Sequence, residues 1–353
     1  MHKLTILHIT EQLGIGGTEV LLKNTLPELK EFEHVVVYLG GSDELKKDFV
    51  QYPVYDLEHR GKRTLIRSIL RLKRIIKNHK PDIVHAHLYW SSIIARFAKP
   101  ANVRLITTVH SVLSKDAFEK NKLSLWMEKM TASKQNDVIA VSKFALQDYI
   151  SYTGFKGRAH VVYNFIPAQF ARHISSKVSV MKQQEPVKCI AVGNLKPVKN
   201  YAYILEAFKR LPQSAFTLDI AGEGSMKPVL ESMIKDTGIP VRLMGSRSDL
   251  DSLLQEYTVF IQASAYEGFG IAMSEAILSG LVPVLSDIPV HREVTDNKAF
   301  YFDLDDPQFL ANTLLTMKVN ADEILLNKCR EYVKDITSPA HYFGRLRSIY
   351  GLT

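Results

Sequence analysis

The feature that most constrains the fold is an alternation of short apolar runs with amphipathic segments. In the first half, runs rich in Val, Ile and Leu occur at residues 4–9, 35–39, 83–85, 105–109, 138–141 and 160–163. Amphipathic segments lie between them, including residues 18–29, 64–79 and 143–152. Short apolar runs are typical of strands buried on both faces of a parallel sheet, so the alternation predicts repeated strand-helix-strand units.

The alternation stops at residues 166–186, a polar segment that ends in proline, and then restarts. Further strands are predicted at 187–192, 216–221, 241–244, 259–262 and 282–285, with a helical pattern from residue 306 onward. A chain of 353 residues exceeds what one hydrophobic core usually supports. We therefore predict two doubly wound, Rossmann-like α/β domains facing each other across a cleft, over residues 1–165 and 187–337, with a linker at 166–186 and a final helix at 338–353.

The positive charge is confined to the first half of the chain. Residues 1–165 contain 25 Lys and Arg against 16 Asp and Glu, whereas residues 166–353 contain 20 against 21. Nine basic residues and no acid occur between Arg60 and Lys80. This asymmetry indicates an N-terminal half that faces something anionic, such as nucleic acid, a phosphorylated substrate or a lipid surface.

Within that basic region, residues 64–80 form one amphipathic helix. Leu65, Ile69, Leu72 and Ile76 make its apolar stripe, and Arg67, Arg71 and Arg74 form the opposing one. A solvated outer face is the simpler interpretation, and docking on anionic lipid headgroups is the alternative. Nucleic acid is not expected, because no set of aromatic side chains interleaves with the basic residues.

Ligands of open parallel sheets bind beyond the carboxyl ends of the strands, so the loops there are the candidate sites. The first loop carries Gly14, Gly16 and Gly17, which could present a helix start to a phosphate or simply form a tight turn. The corresponding loop of the second domain runs from Gly193 to Asn200 and includes Lys199. Two lysines after a glycine turn could hold a diphosphate, or be solvated.

The segment SAYEGFGIAMSEA, residues 264–276, places Glu267 and Glu275 on either side of a predicted helix start near Gly270. A helix start favours anionic oxygens. Two carboxylates would repel a phosphate, so their expected targets are neutral sugar or ribose hydroxyls. The plainer alternative is a capping Glu267 and a solvated Glu275.

Histidines occupy the ends of two predicted strands in the first domain. His85 and His87 lie on the same side of one strand, and His110 ends the next. A zinc or copper site requires a third ligand, and no His, Cys or Asp cluster occurs nearby in the sequence. We therefore interpret these histidines as structural or substrate-contacting residues, and predict no metal site.

With these motifs in place, the chain resembles the retaining glycosyltransferases of family 4, which have the GT-B fold. The central match is the pair Glu267 and Glu275 within EGFGIAMSEAILSGLVPVLSDI. Supporting matches, in order along the chain, are GGTE (16–19), DIVHAH (82–87), TVHS (108–111), VGNLKPVKN (192–200) and AGEG (221–224). Asn194 and Asn200 depart from the family pattern, which often has arginine and glycine there.

The resemblance implies a role for each matching residue. Glu267 and His110 would act at the transferred sugar as catalytic residues, and Glu275 would bind the ribose of the donor nucleotide. The remaining donor-binding residues would be Gly16, Gly17, Asn194, Lys199, Gly222, Gly268, Phe269, Gly270 and Ile271. The resemblance also implies a C-terminal helix that packs back on the first domain, and catalysis without a metal or other cofactor.

The expected function is transfer of a sugar, with retention, from a nucleotide-diphosphate donor to a saccharide or lipid-linked acceptor in bacterial surface polysaccharide or glycolipid synthesis. A UDP-sugar is the favoured donor. Two alternatives are a UDP-sugar epimerase of GT-B fold and a basic, non-catalytic protein that binds nucleic acid or lipid. The chain has two cysteines and no disulfide framework, which favours the cytoplasm. The lipid-docking alternative for the basic helix adds peripheral attachment to the inner face of the plasma membrane.

Overall fold

The computed structural model describes residues 3–119, 121–171, 181, 186–212, 214–237 and 240–352. The chain divides into two compact units, which we call the N-terminal unit and the C-terminal unit. The N-terminal unit contains Met1–Asn164 together with Ala340–Thr353, and the C-terminal unit contains Phe165–Pro339. Most of the predicted linker, namely residues 172–180 and 182–185, lies outside the described residues.

The N-terminal unit is built on a parallel sheet with the strand order β3-β2-β1-β4-β5-β6-β7. Its strands are β1 (Thr5–Thr10), β2 (Glu33–Tyr38), β3 (Val54–Asp56), β4 (Ile83–His87), β5 (Arg104–Val109), β6 (Asp137–Ala140) and β7 (Arg158–Val161). Its first helices are α1 (Gly17–Thr25), α2 (Leu65–His79), α3 (Tyr89–Ala98), α4 (Lys122–Thr131) and α5 (Lys143–Thr153). The order reverses between β1 and β4, which makes their carboxyl ends the natural ligand position.

The C-terminal unit repeats this plan with the strand order β10-β9-β8-β11-β12-β13. Its strands are β8 (Val187–Val192), β9 (Phe216–Ala221), β10 (Val241–Gly245), β11 (Val259–Gln262), β12 (Val282–Ser286) and β13 (Phe300–Phe302). Its helices are α6 (Tyr201–Phe208), α7 (Lys227–Thr237), α8 (Leu250–Leu253), α9 (Ile271–Leu278), α10 (Pro289–Val294), α11 (Pro307–Asn320) and α12 (Glu323–Ile336). Here the order reverses between β8 and β11.

The last helix, α13 (Pro339–Tyr350), belongs to the N-terminal unit. Its Tyr350 hydroxyl lies 2.7 Å from His85 Nδ1, and the Tyr342 hydroxyl lies 3.3 Å from Thr25 Oγ1. Arg104 donates to the Ile349 carbonyl at 2.5 Å. The resemblance predicted that the final helix packs on the first domain, and these contacts bear it out.

Both cores match the predicted apolar runs. Leu7, Ile9, Val37 and Val84 are fully buried in the first sheet, and Ile220, Ile261 and Val284 in the second. The sequence pattern missed β3 and β13, because edge strands of three residues are too short to produce a periodic signal. Within the described part of the chain, no helix is both long and apolar enough to cross a membrane.

Candidate active site

The loops that follow β8 and β11 meet at the strand-order reversal of the C-terminal unit. A backbone hydrogen bond from Ala265 N to Val198 O, 2.9 Å long, ties the two loops together. This tether brings Lys199 and Glu267 into contact although they are 68 residues apart, with Lys199 Nζ 2.5 Å from Glu267 Oε1. Two residues predicted separately from sequence therefore form one ion pair.

Glu267 has three hydrogen-bond donors around a single carboxylate oxygen. Besides Lys199, Gln262 Nε2 donates at 2.5 Å and Ser264 Oγ at 2.6 Å. Burial alone would raise the pKa of Glu267, but the charge and hydrogen bond of Lys199, with the Ser264 hydrogen bond, outweigh it and the pKa is lowered. Glu267 is therefore ionised at neutral pH, and the three donors among the described residues all contact Oε1.

Glu275 has the opposite environment. It lies in the second turn of α9, and burial raises its pKa to about 8. No hydrogen bond to its carboxyl group occurs among the described residues, and no cation compensates its charge there. A carboxyl group held this way gains a large stabilisation when hydroxyl donors reach it. This environment disfavours the alternative of a solvated Glu275, and ribose binding by this residue stays a prediction.

The start of α9 lies between the two acids. Gly270 adopts the left-handed conformation with φ of 96°, which favours glycine, and the helix begins at Ile271 without a side-chain cap. Gly268 is buried in the preceding loop, and Phe269 beside it is 2% exposed. The first-turn N–H groups of α9 thus lie next to the Glu267 loop, where they suit an anionic oxygen.

The other predicted donor-binding positions of this unit form the rim of the same sheet edge. A side chain at Gly222 would place its Cβ 1.9 Å from the Gly193 carbonyl oxygen, so only glycine permits this close approach of two loops. Asn194 is exposed. Asn200, a departure from the family pattern, has a left-handed φ of 55°, a conformation that asparagine tolerates better than most residues.

Two residues near Glu267 were missed by sequence reasoning. His291 in α10 is fully buried; its Nδ1 lies 2.8 Å from the Ser286 carbonyl, so it donates there, and burial lowers its pKa to about 4. Its Nε2 and the Gln262 Oε1 have no hydrogen-bond partner in the described structure. Both atoms are hydrogen-bond acceptors. The only sequence signals were that Gln262 is a polar residue at the end of a strand and that His291 lies in a helix that begins with proline.

Gly16 and Gly17 lie in the N-terminal unit, at the start of α1. The buried Glu19 places a carboxylate oxygen beside Gly16, and Thr10 Oγ1 donates to the other oxygen at 3.4 Å. This carboxylate already faces the positive end of α1. Phosphate binding by the turn Gly16–Gly17 stays a prediction, and Glu19 weakens its electrostatic basis.

His110 lines a cavity of about 320 Å³, which we call the N-terminal cavity. The cavity opens at the carboxyl ends of β1, β4 and β5, beside the strand-order reversal, and Glu11, Trp90 and Ser111 also line it. Burial lowers the pKa of His110 to about 4, so its imidazole is neutral at pH 7.

Four histidines of this unit form a hydrogen-bonded chain that ends at His110. His34 Nε2 contacts the Leu29 carbonyl at 3.0 Å, and His34 Nδ1 lies 3.2 Å from His8 Nε2. His8 Nδ1 lies 3.4 Å from His87 Nε2, and His87 Nδ1 lies 3.3 Å from His110 Nε2. The sequence does not indicate this chain, because its members come from β1, β2, β4 and the position directly after β5.

The chain fixes the position of each proton. A carbonyl oxygen only accepts, so His34 donates from Nε2. Burial lowers the pKa of His34, His8 and His87, and each neutral ring then has one donor and one acceptor. Every ring in the series must consequently carry its proton on Nε2, and His110 is left with an accepting lone pair on Nδ1.

His8, His85 and His87 also come close enough for a metal ion to contact one nitrogen of each. His8 is the third ligand that the sequence pattern did not supply. Both ring nitrogens of His8 and His87 are engaged in the histidine chain, and His85 contacts Tyr350 and Thr108 Oγ1 at 2.7 and 2.6 Å. A metal here would have to replace one hydrogen bond of each histidine, so the prediction of no metal site stays a prediction.

The predicted residues thus fall into two sets. Glu267, Lys199, Glu275 and the α9 start lie in the C-terminal unit with Asn194 and Gly222. His110, Gly16 and Gly17 lie in the N-terminal unit. Within each unit, the predicted residues lie at the carboxyl edge of the sheet, next to the strand-order reversal.

Comparison with known proteins identifies the family. The family model described as Glycosyltransferase Family 4 matches residues 15–170, and the model Glycosyl transferases group 1 matches residues 175–335. An Escherichia coli UDP-Gal:alpha-D-GlcNAc-diphosphoundecaprenol alpha-1,3-galactosyltransferase is 28% identical over 81% of this chain and 79% of the relative. A Campylobacter jejuni alpha-1,4-N-acetyl-D-galactosaminyltransferase, which acts on a diphosphoundecaprenol-linked saccharide, is 24% identical over 78% of this chain and 77% of its own.

Solved structures support the same fold. Anabaena HepE, crystallised with UDP and glucose, superimposes with a TM-score of 0.82 at 18% identity, covering 99% of this chain and all of its own. The structure of TarM superimposes with a TM-score of 0.80 at 13% identity, covering 99% of both chains. With two family models that together match most of its length, the chain belongs to the glycosyltransferases of the family 4 type, enzymes of GT-B fold.

Proposed function

We propose that this glycosyltransferase moves a hexose, with retention of configuration, from a UDP-sugar to the saccharide of a lipid-linked acceptor in surface polysaccharide synthesis. The observation that carries the proposal is the arrangement of Lys199, Glu267 and Glu275 around the start of α9. The Escherichia coli relative is named for a UDP-galactose donor and a diphosphoundecaprenol acceptor, which supports this choice of substrates.

In the proposed donor complex, each acid has one task. Glu275 accepts hydrogen bonds from the ribose hydroxyls, because its carboxyl group is desolvated and has no partner in the described structure. Glu267 uses Oε2 for hydroxyls of the transferred sugar, since its Oε1 is committed to Lys199, Gln262 and Ser264. The diphosphate lies at the first N–H groups of α9, with Asn194, Gly222, Gly268, Phe269, Gly270 and Ile271 forming its surroundings.

Charge development explains how these groups accelerate transfer. Breaking the bond between sugar and diphosphate builds negative charge on the leaving group and positive charge at the anomeric carbon. The ammonium of Lys199 and the dipole of α9 stabilise the former, and the Glu267 carboxylate stabilises the latter. Retention is proposed to follow from attack on the same face, with the leaving phosphate taking the proton of the acceptor hydroxyl. We propose no metal in this scheme.

The test is a thermal-shift panel of UDP-, GDP- and ADP-sugars, followed by transfer to a lipid-linked acceptor. A bound donor raises the melting temperature by mass action, and we expect the UDP-sugars to give the largest shift. The anomeric configuration of the product, determined by NMR, tests retention. No shift with any nucleotide-sugar would refute the donor assignment, and an inverted product would refute the retaining mechanism.

The two alternatives predict different behaviour in the same assays. An epimerase of GT-B fold converts its UDP-sugar to an isomer with no acceptor present. A non-catalytic binding protein gives no shift with nucleotide-sugars, and its affinity for polyanions falls steeply with salt. Acceptor-dependent release of UDP, with an unchanged donor sugar in its absence, excludes both.

We also propose that the N-terminal unit attaches to the anionic inner face of the plasma membrane. On α2, Ile66 and Leu70 are 74% and 59% exposed, and the side chain of Arg67 is 62% exposed on the same helix. Apolar side chains next to basic ones suit the boundary between headgroups and acyl chains. A second exposed apolar stripe, Leu123, Trp126 and Met130, lies on α4.

Liposome sedimentation separates the two surfaces. Charge reversal of Arg67, Arg71 and Arg74 should reduce binding to phosphatidylglycerol vesicles if α2 is the contact, whereas Trp126→Ala should reduce it if α4 is. Charge reversal of Arg242, Arg247 and Arg292 in the C-terminal unit is the matched control. Equal binding by wild type and both N-terminal variants would refute the membrane proposal.

A further inference from the structure

The N-terminal cavity contains two buried polar groups that lack partners. Thr107 Oγ1 and Arg96 Nε make no hydrogen bond in the described structure, although both residues are at most 3% exposed and both line the cavity. Leaving such a group unsatisfied costs about 1–3 kcal/mol. Both atoms are closed off from solvent, so the chemistry of an occupant is determined by the other groups of the lining.

The charge of Arg96 is not available to that occupant. Its terminal nitrogens hold the buried Glu128 carboxylate in a bidentate pair, at 2.7 and 2.6 Å. Gln135 Oε1 and Thr131 Oγ1 accept further hydrogen bonds at 2.8 and 3.1 Å. The guanidinium is thus neutralised and fixed, and does not present a free cation to the cavity.

Among the described residues that line the cavity, two further carboxylates have no neutralising partner. Glu11 accepts the Trp90 backbone N–H at 2.8 Å, and Asp116 accepts the Ser111 hydroxyl at 3.1 Å. Burial raises the pKa of Glu11; the Trp90 N–H opposes this shift, and the nearby Asp116 adds to it. Arg96 is the only lysine or arginine among the described residues that line the cavity. The lining therefore repels anions, although the unit as a whole is basic.

Aromatic rings complete the cavity wall. Tyr89 and Trp90 lie edge to face with ring centroids 5.3 Å apart, and Tyr89 donates its hydroxyl to the Ser124 carbonyl at 2.8 Å. Trp90 is partly exposed to the cavity side of α3. Rings that meet apolar C–H groups, beside carboxylates that accept from hydroxyls, suit a sugar ring.

We propose that the N-terminal cavity binds the terminal sugar of the acceptor and selects a sugar that carries no negative charge. This inference rests on the proposed function, since it assigns the acceptor end of the same reaction. It excludes uronic acids and phosphorylated sugars as the residue that receives the hexose. It also requires the diphosphate of a lipid-linked acceptor to remain outside the cavity.

The experiment measures binding by saturation-transfer NMR to the full chain, without donor. The probes are the methyl glycosides of glucose, galactose, mannose, N-acetylglucosamine and N-acetylgalactosamine. Each of the three hexoses is paired with the methyl glycoside of its uronic acid, in which the carboxylate is free. We expect at least one neutral glycoside to bind, and its uronate, or a 6-phosphate derivative for the two acetamido sugars, to bind about tenfold or more weakly. Binding of none of the neutral glycosides, or equal binding of an acidic counterpart, would overturn the proposal.

Variants locate the effect. Asp116→Asn and Glu11→Gln should narrow the preference for the neutral glycoside to about two- or threefold, because each removes one charge and keeps the shape. Glu119→Gln, which removes an exposed charge outside the cavity lining, is the control and should retain the full preference. If Asp116→Asn and Glu11→Gln kept it too, the carboxylates would not be its cause, and the proposal would fail.

The result is independent of the donor measurements. If UDP-sugars bind and transfer occurs while acidic acceptors are used equally well, this inference fails and the proposed function stands. If no nucleotide-sugar binds while the cavity still selects neutral sugars, the proposed function fails. In that case the cavity is a neutral-sugar site, and its role as an acceptor subsite is refuted.

Discussion

The two units place buried polar groups at equivalent edges of their sheets, in opposite electrostatic states. In the C-terminal unit, Glu267 and Lys199 are charged and paired, and Glu275 is a desolvated carboxyl group. In the N-terminal unit, the histidine chain is neutral, because burial lowers the pKa of each member. The C-terminal unit therefore holds charged groups next to a helix start, and the N-terminal unit holds neutral groups with oriented hydrogen bonds.

The same sheet topology therefore serves two chemistries. A leaving diphosphate needs compensating charge, which an ion pair and a helix dipole supply. A sugar hydroxyl needs a directional acceptor, and a neutral imidazole of fixed tautomer supplies that without attracting ions. Substitutions confined to one unit therefore test its chemistry separately from that of the other unit.

The largest effect is expected from Glu267→Gln. The variant removes the charge proposed to face the anomeric carbon and leaves Lys199 without its anion, so kcat should fall on the order of 100-fold or more. Steady-state transfer kinetics measure it. Glu206→Gln, at an exposed ion pair in the same unit, is the control and should change kcat less than twofold. A Glu267→Gln enzyme with wild-type kcat would contradict the assigned role.

A smaller effect, dependent on pH, is expected at Glu275. If its carboxylate form binds the ribose, UDP-sugar affinity should increase as pH rises from 6 toward 8 and level off above the pKa of about 8. Glu275→Gln should weaken binding about tenfold at pH 8 and remove the slope. Isothermal titration at several pH values checks this. An identical slope in the variant would assign the titration to another group.

The same residue should affect the stability of the ligand-free protein with the opposite sign. Its pKa of about 8 in the folded state lies above the ordinary 4.5, so its stabilising contribution is present at low pH and is lost as pH rises through 8. Glu275→Gln should therefore raise the free energy of unfolding by roughly 1–3 kcal/mol at pH 8, and by nothing at pH 4.5. Chemical denaturation at pH 8 and pH 4.5 measures this change. If Glu275→Gln differed from wild type by the same free energy of unfolding at both pH values, the raised pKa would not belong to Glu275.

A still smaller effect is expected from the far end of the histidine chain. His34→Phe removes the acceptor that holds the His8 proton, so the tautomer of His110 is no longer fixed and kcat should fall about three- to tenfold. Imidazole ¹⁵N spectra report the tautomer directly. His79→Phe, outside the chain, is the control. A His110 that stays protonated on Nε2 in His34→Phe would show that the chain does not determine its tautomer.

The smallest effect is expected from metal. Because both ring nitrogens of His8, His85 and His87 are already hydrogen-bonded, neither EDTA nor added zinc should change the melting temperature by more than about one degree. Differential scanning calorimetry tests this. A zinc-dependent rise in wild type that His8→Phe abolishes would establish a metal site and break the contrast between the units.

The sequence predicted the sheets well because buried parallel strands produce continuous apolar runs, as in Val187–Val192. It predicted Glu267, Glu275 and Lys199 because a local motif marks each of them. It did not predict that Lys199 and Glu267 pair, since that depends on a backbone contact between two loops. It missed His8, His34 and His291 because their partners come from other strands, and a single histidine in an apolar run has no distinguishing pattern.

The position of α13 has a consequence for the order of synthesis. The N-terminal unit includes Ala340–Thr353, which leave the ribosome only after the whole C-terminal unit has been made. Until then, His85 lacks the Tyr350 hydroxyl and Arg104 lacks the Ile349 carbonyl. Domains usually mature in the order of translation. In this enzyme the unit that is translated first is completed last, because its final helix follows the whole C-terminal unit in the chain.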